Sequence, residues 1–528
     1  MRKPHLLFIV LAIAAWSCKK EKAIVVPPPK PPKDTVVVKA DTAAFNSVKL
    51  EVKNNPGIIT SDLNFTIAGD SIVGIIPAMK SSKKLVITFA AKTTGTTVKV
   101  ADTTLVSGTT VIDFSKPVTL NIATPKGLNK NYKVKVKNFT GLPILYLTTN
   151  GPVVSKDDYV TGSLTVDPNV DFQQEQLIIP LQIKGRGNST WGFPKKPYRM
   201  KFSGKAAMLG MPAAKNWVLL ANYDDKTLMR NWISLDLARR LGGDFTPPAR
   251  FVEVVMNGEF LGNYMLTTQV EVNENRVNIT ELKSGDNSAD KITGGYLLEL
   301  DERRDADFWF ETAKKLPFTI KSPDAITTAQ MDYIKTYVQA TEDAIFSADF
   351  GDPDKGYAKY INTDSFVNWY LTEDILKNQD SWDFSSIFYY KDRGGKLGMG
   401  PVWDFDLSLG NVNYSVASQP LEWYTRNAKW MIRLHQDYNF REKVKKRWND
   451  DIKGKIIKQI LADIDSQAAY LELSQKQNFQ KWDILNTYVW PNNVVLGSYK
   501  AEVDYIKDFL NKRVAWIDAA INDPANGY

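Results

Sequence analysis

Four acidic residues lie in one short stretch of the sequence and are the side chains best suited to chemistry. Asp380 and Asp383 precede the strand-like segment SIFYY, whereas Asp404 and Asp406 follow a second apolar stretch. Pairing of these two strands as a hairpin would bring the acidic clusters together. Mg²⁺ binds one or two protein carboxylates and leaves its other positions to water and phosphate oxygens. The pattern therefore predicts phosphoryl transfer.

The same stretch also has a purely structural interpretation. Trp382, Phe384, Trp403 and Phe405 would be buried, and the aspartates would only cap turns and solvate the rim. The concentration of NQD, WD and WDFD in one predicted hairpin favours the functional interpretation.

A glycine-containing segment at residues 183–202, IKGRGNSTWGFPKKPYRMKF, supplies cations and short donors. Its loop, with Arg186 and Asn188, could hold phosphates through main-chain N–H groups, and Lys196 or Lys201 could neutralise their charge. The sequence does not choose between the two lysines. The GxxxxGK[ST] spacing of a Walker loop is missing, so a simple glycine-bearing hairpin is the alternative.

A third segment, WVLLANYDDKTLMRNWISLDLARRLG at residues 217–242, joins an apolar strand to a helix. Asp225 could cap that helix. Arg230 and Asn231 fall in its first turns, where they could face the phosphate site or pair with surface carboxylates.

The N-terminus of the chain reads as an export signal, and the folded segments that must position these residues follow it. Residues 1–18 have a basic start, an apolar core and a small-residue exit, and the apolar core is too short to span a bilayer. Cys18 is the only cysteine, and its place at the end of the signal resembles a lipoprotein lipobox. Residues 19–40 are rich in proline and predict an extended tether. We therefore expect a lipoprotein anchored to the membrane, either periplasmic or on the cell surface.

The chain of 528 residues is longer than one hydrophobic core usually serves, so we expect a multidomain protein. Residues 41–138 form short alternating runs rich in Val, Thr and Ile, which predict an all-β immunoglobulin-like sandwich acting as a spacer or binding module. Residues 139–522 mix strands with amphipathic helices and predict an α+β domain. The formal net charge is +8, but the folded regions contain no dense block of Lys and Arg. We therefore expect no nucleic-acid partner outside the cell membrane.

Residues from about 140 to 520 resemble the spore coat protein H (CotH) kinase family, whose members are atypical protein kinases. The resemblance rests on motifs that occur in the family's order: GRGNSTW (185–191), KKPYRMKF (195–202), LLANYDDKTLMRN (219–231), VEVVMNGEFLGNYML (252–266), GGYLLELD (294–301), NQDSWDFSSIFYY (378–390) and WDFDLSLGN (403–411).

This resemblance implies a two-lobed kinase-like fold that binds ATP and Mg²⁺, with Mn²⁺ as an alternative, between its lobes. Asp380 matches the catalytic aspartate that accepts or orients the hydroxyl of a protein serine or threonine, and Asp404 matches the metal-binding aspartate. Asp406 would assist as a second metal ligand. Ser385 and Ser386 stand where family members often carry an amide after the catalytic aspartate, so the second metal contact differs in this chain.

Three hypotheses remain at this point. The first is an extracytoplasmic kinase acting on secreted or surface proteins, and the second is an inactive kinase-like envelope protein that binds a glycan or a protein partner. In the third, the acidic pairs form a glycosidase site, which the adjacent cations disfavour. Zinc hydrolysis is disfavoured further, because His5 and His435 are the only histidines and His5 leaves with the signal.

Overall fold

A computed structural model describes residues 41–172, 174 and 178–526 of the protein. Cys18 and the proline-rich segment at 19–40 lie outside the described residues, so the lipid anchor and its tether stay predictions. No helix in the described part of the chain is long and apolar enough to cross a bilayer.

The N-terminal region is all-β, as predicted. Alternation of buried and exposed side chains along its strands places one face of each sheet on a shared core. The sheets have the orders β2-β1-β5-β8 and β3-β4-β10-β9-β6-β7. The strands are β1 (Phe45–Leu50), β2 (Leu63–Asn64), β3 (Thr66–Ala68), β4 (Ser71–Ile76), β5 (Leu85–Ala91), β6 (Thr97–Val100), β7 (Thr103–Thr104), β8 (Val111–Ile112), β9 (Val118–Ala123) and β10 (Asn129–Asn138). The more specific immunoglobulin-like assignment stays a prediction.

A closed barrel follows, with the strand order β11-β12-β13-β14-β15-β17-β16. Its interior is packed with large apolar side chains around Trp217. The strands are β11 (Ile144–Thr149), β12 (Val160–Asp167), β13 (Ile178–Gly185), β14 (Tyr198–Met208), β15 (Met211–Leu220), β16 (Ala249–Met256) and β17 (Glu259–Thr268). Helix α1 (Arg230–Arg240) lies between β15 and β16, where the periodicity of the sequence predicts it.

The last part of the chain is mixed α and β, as predicted, and contains a five-stranded antiparallel sheet of order β19-β20-β18-β21-β22. The predicted hairpin of SIFYY is confirmed as β21 paired with β22. The strands are β18 (Tyr296–Leu300), β19 (Trp309–Glu311), β20 (Pro317–Ser322), β21 (Ile387–Lys391) and β22 (Leu397–Met399). The helices are α2 (Thr328–Phe346), α3 (Thr363–Leu376), α4 (Lys429–Leu434), α5 (Tyr438–Arg447), α6 (Ile457–Tyr470), α7 (Glu472–Lys481) and α8 (Tyr499–Asn522), with a π-helical stretch at Trp448–Ile456.

Helix α3 carries the chain directly into the NQD motif. Asn362 caps its first turn by accepting a hydrogen bond from the N–H of Ser365. The helix is buried on most of its circumference, and it ends at Lys377, which has the left-handed φ of 51°. A helix held by burial on nearly all sides provides a rigid base for the motif that follows it.

A buried ion pair joins α3 to α8 and anchors the segment that follows WDFD. Arg513 Nη2 lies 2.6 Å from Asp374 Oδ1, and both side chains are at most 2% exposed. Arg513 also donates to the carbonyls of Pro420 and Glu422, and Asp374 accepts from the N–H groups of Tyr424 and Arg426. The two charges are therefore satisfied by each other and by the backbone of residues 420–426.

Substitution Arg513→Met should lower the free energy of unfolding by about 3–5 kcal/mol, because it leaves Asp374 as an uncompensated buried charge. Urea unfolding followed by tryptophan fluorescence measures this loss. Residues 41–138 contain no tryptophan, so the signal reports on the rest of the folded chain. Lys512→Met on the same helix is the control: its partner Asp508 is 57% exposed, and the expected change is within about 0.5 kcal/mol. Equal effects of the two substitutions would contradict the prediction.

Candidate functional site

A cleft of about 300 Å³ lies where the barrel meets the five-stranded sheet. The barrel side contributes the loop after β13 and the end of β15. The opposite side contributes the ends of β18 and β20, the NQD turn and the WDFD loop. The charged side chains that line it are Arg186, Lys195, Asp224, Glu299, Asp301, Arg303, Asp305, Lys321, Asp380, Asp404 and Asp406.

Asp380 lies in a short 3₁₀ turn directly after α3 and is 8% exposed. Ser385 Oγ donates to its Oδ2 over 3.3 Å. The pKa of Asp380 is raised to about 7, first by burial and then by the nearby charge of Asp404, while Arg303 opposes both effects. A carboxyl with a pKa near neutrality is suited to accept a proton from a hydroxyl group.

Asp404 and Asp406 lie on the loop that follows β22. Asp404 has a φ of 68°, a conformation uncommon for residues other than glycine. Ser386 Oγ donates to its carboxylate over 3.3 Å, and Asn378 Nδ2 donates to its backbone carbonyl over 3.2 Å. The pKa of Asp406 is raised well above its usual value by burial first and then by Asp404. The two residues thus lie on one loop, and both line the cleft.

Arg186 and Asn188 both line the cleft. The Arg186 guanidinium lies 5.8 Å from the ring centroid of Trp403. Burial lowers the pKa of Arg186, while Asp404 and Asp406 oppose this shift. Gly187 has a φ of +83°, and a Cβ there would meet Thr190 Oγ1 at 2.1 Å, so the turn requires glycine.

The structure does not place Lys196 or Lys201 on the cleft. Tyr198, Met200 and Phe202 point into the barrel, so the alternation of β14 directs Lys201 outward, where it is exposed. Lys196 Nζ instead donates to the carbonyl of Trp191 over 2.7 Å.

Lys195 is the lysine of this motif that lines the cleft, but its ammonium is directed elsewhere. The residue is 1% exposed, and its Nζ donates to Asn478 Oδ1 over 2.8 Å and to the carbonyl of Asn263. Burial lowers its pKa to about 7. Lys195 therefore ties the barrel to α7 and presents no charge to the cleft.

Arg230 also differs from the expectation of a phosphate contact. Its Nη1 lies 2.6 Å from Asp225 Oδ1, and its Nε donates to the carbonyl of Ser408 over 3.0 Å. Asp225 also accepts from the N–H of Arg230, the first residue of α1, although the N-cap position itself is taken by Met229. Arg230 thus supports the backbone just beyond WDFD. Its neighbour Asn231 lines the cleft and accepts from the N–H of Phe405 over 2.9 Å.

The structural interpretation of the aromatic residues is correct for half of them. Trp403 and Phe405 are buried, whereas Trp382 and Phe384 are 43% and 44% exposed. Asp383 does take a structural role, because its Oδ2 accepts from the N–H of Lys429 over 2.8 Å.

Sequence reasoning missed two cationic side chains of the cleft, which come from the five-stranded sheet. Lys321 at the end of β20 lies 3.0 Å from Glu299, and Arg303 after β18 lies 3.1 Å from Asp301. The charged run DERR directly after the apolar strand GGYLLEL was the available signal. Only the pairing of β18 with β21 brings these residues opposite the acidic hairpin.

The donor set of the cleft fits a hard divalent cation. Within the described residues no group of three or more Asp, Glu, His or Cys side chains is arranged to hold one metal ion. Mg²⁺ needs only one or two protein carboxylates, and Asp404 with Asp406 provides them. The pKa of Asp406 is raised by burial and then by the neighbouring carboxylates of Asp404, Asp224 and Asp380, as expected where negative charge gathers for a cation.

Comparisons with known proteins place the chain in a family. The sequence profile of the family described as CotH kinase protein matches residues 183–517. The inner spore coat protein H of Bacillus subtilis (strain 168) is 25% identical over 248 residues, which cover 44% of this chain. The chain spans 60% of the length of that curated relative.

A comparison with solved structures adds little. A candidate glycoside hydrolase from Bacteroides thetaiotaomicron VPI-5482 aligns with 56% of this chain and 89% of its own length. The sequence identity is 15% and the TM-score is 0.16.

Glu373 should make stability depend on pH. Burial raises its pKa from 4.5 to about 8, so between these values the folded state keeps a proton that the unfolded state releases. The free energy of unfolding should therefore fall as pH rises, by at most about 1.4 kcal/mol per pH unit from this group. Glu373→Gln keeps an oxygen acceptor for Asn378 Nδ2 and removes the ionisation.

Urea unfolding of the wild type and Glu373→Gln at pH 5, 6.5 and 8 measures this effect. The variant should gain stability relative to the wild type as pH rises through this window. A difference that is constant with pH would show that the Glu373 carboxyl does not hold its proton in the folded state.

Proposed function

Because the chain belongs to the CotH kinase protein family, we propose that it is an extracytoplasmic, lipid-anchored kinase that transfers the γ-phosphate of ATP to Ser or Thr of envelope proteins. The observation that carries the proposal is the convergence of Asp380, Asp404 and Asp406 on one cleft with Arg186 and other cations. The export signal and Cys18 in the sequence support the extracytoplasmic, anchored location.

In the proposed reaction the protein contributes positioning and charge. Asp380 would orient the acceptor hydroxyl and take its proton. Asp404 and Asp406 would hold Mg²⁺, which when bound neutralises charge on the β- and γ-phosphates. Arg186 would reach the same phosphates from the barrel side, where its guanidinium lies over the ring of Trp403.

Arg303 and Lys321 are the further cations of the proposed phosphate site. Both are partly exposed, and each already has a carboxylate partner, Asp301 and Glu299 respectively. A paired cation is held in place before substrate arrives, which lowers the cost of ordering it during the reaction. These two residues replace Lys196 and Lys201 as the proposed phosphate contacts.

A binding protein without transferase activity is the second candidate. It is favoured by an aromatic pair near the cleft: Tyr414 and Trp490 stack with centroids 6.0 Å apart, and both rings are about half exposed. Exposed aromatic surface of this kind is typical of sites for glycans or polypeptides. The two candidates differ in whether phosphate is transferred.

Transfer of labelled γ-phosphate in the presence of Mg²⁺ or Mn²⁺ tests the proposal, with autophosphorylation and added envelope proteins as acceptors. Asp380→Asn and Asp404→Asn should each reduce the rate by roughly 10²–10⁴-fold, because each removes a group needed for proton transfer or charge neutralisation. Asp305→Asn removes an exposed carboxylate at the rim of the same cleft and should leave the rate nearly unchanged.

Thermal unfolding with Mg²⁺ and ATP separates the two candidates when no labelling is found. A nucleotide at 100 times its Kd stabilises the folded state by about 2.7 kcal/mol. Absence of both labelling and nucleotide-dependent stabilisation would overturn the kinase assignment and favour the binding protein.

Arg303 should set the acidic limb of the pH profile. If the ionised form of Asp380 is the base, kcat/KM should rise with pH through about 7. Arg303 lowers the pKa of Asp380, so Arg303→Gln should displace this limb to higher pH. Arg304→Gln is the matched control, because Arg304 pairs with Glu302 and Glu311 away from the cleft. An identical displacement in both variants, or in neither, would contradict the role assigned to Asp380.

A further inference from the structure

Asp224 is a buried carboxylate that neither the sequence motifs nor the proposed mechanism uses. It lines the cleft and is 2% exposed. In the described part of the chain, no hydrogen bond or ion pair joins its carboxylate to another residue. Such a group destabilises the folded state, because a charge is withdrawn from water without a protein partner. Its retention in the cleft therefore needs a reason other than structure.

The neighbouring Asp225 shows what a structural aspartate looks like at this place. Its carboxylate receives Arg230 as an ion-pair partner and accepts hydrogen bonds from Thr227 and from the first turn of α1. The NYDD motif thus divides into one fully satisfied residue and one directed into the cleft.

Two asparagine side chains fix Asp224 relative to Asp406. Asn411 Nδ2 donates to the carbonyl of Asp406 over 2.8 Å and to the carbonyl of Asp224 over 3.2 Å. Asn492 Nδ2 donates to the carbonyl of Asp224 over 2.6 Å and to Asn411 Oδ1 over 2.9 Å. We call Asn411 and Asn492 the amide clamp. Both residues are buried, so the clamp sets the separation of the two aspartates without adding a charge.

From this geometry we infer that Asp224 and Asp406 form a second divalent-cation site in the cleft, while Asp404 and Asp406 hold the first, so that Asp406 is shared by the two ions. The inference rests on the proposed function, in which the triphosphate of ATP would lie between the two cation sites. Two carboxylates are sufficient for Mg²⁺ or Mn²⁺, since water and phosphate oxygens complete the coordination. Phosphoryl transfer commonly uses two such ions. Asp224 would supply the contact that the Ser385-Ser386 sequence does not.

Counting bound Mn²⁺ by electron paramagnetic resonance tests the site, using the full-length protein with a non-hydrolysable ATP analogue. The wild type should bind two ions per chain, and Asp224→Asn should bind one. Asp305→Asn makes the same charge change at the rim of the cleft and should still bind two. Retention of both ions by Asp224→Asn would overturn the inference.

The same measurement separates this inference from the proposed function. If the wild type binds Mn²⁺ and loses it in Asp404→Asn, while Asp224→Asn matches the wild type, the second site fails and the kinase proposal stands. If the wild type binds no Mn²⁺ with the analogue, both fail.

Unfolding measurements show whether a loss of Mn²⁺ binding comes from loss of the folded structure. Without metal, Asp224→Asn should unfold at the same temperature as the wild type or higher, because it removes an uncompensated charge.

Asn492→Ala keeps every carboxylate but loosens the amide clamp, so it should weaken binding of the second ion by roughly 10- to 100-fold and leave the first unchanged. Unaltered affinity for both ions in Asn492→Ala would contradict the role of the clamp.

Discussion

Mutual repulsion between carboxylates in one poorly solvated cleft is the constraint on which the rest of this structure depends. Asp224, Asp380, Asp404 and Asp406 come from three separate segments of the chain. Burial first, and then the charges of neighbouring carboxylates, raise the pKa values of Asp224, Asp380 and Asp406. The pKa of Asp224, like that of Asp380, is raised to about 7. Each segment must therefore be held in place by interactions outside the cleft, since the residues inside it would otherwise move apart.

Those interactions are buried, hydrogen-bonded and neutral in sum. The Asp225–Arg230 pair supports the backbone beyond WDFD, and the Asp374–Arg513 pair fixes α3, which leads into the NQD turn. Asn378 links the two acidic loops directly, because its amide donates both to Glu373 and to the carbonyl of Asp404. Among these contacts, Arg230 opposes the raised pKa of Asp224 without reversing it. The fold fixes their positions and leaves the charge for a ligand to neutralise.

Local patterns predicted the acidic hairpin and helix α1, because strand alternation and helical periodicity are properties of short segments. They also identified Arg186 and Asn188 on the cleft loop. The lysines were harder, since the side of β14 that Lys201 faces depends on which side packs into the barrel. Arg303 and Lys321 were missed because strand pairing across about 90 residues of sequence brings them to the cleft. Asp224 could not be separated from Asp225 without knowing where Arg230 points.

The arrangement also bears on the choice between an enzyme and a binding protein. A site that only held a glycan or a protein would gain nothing from carboxylates that lower the stability of the unliganded state. A site that takes up metal ions and phosphates recovers that cost on binding, because the ions neutralise the carboxylates and the arginines meet the phosphates. The same ions then remain where charge develops during transfer. The uncompensated acidic cleft is therefore better explained by phosphoryl transfer than by the exposed aromatic surface beside it.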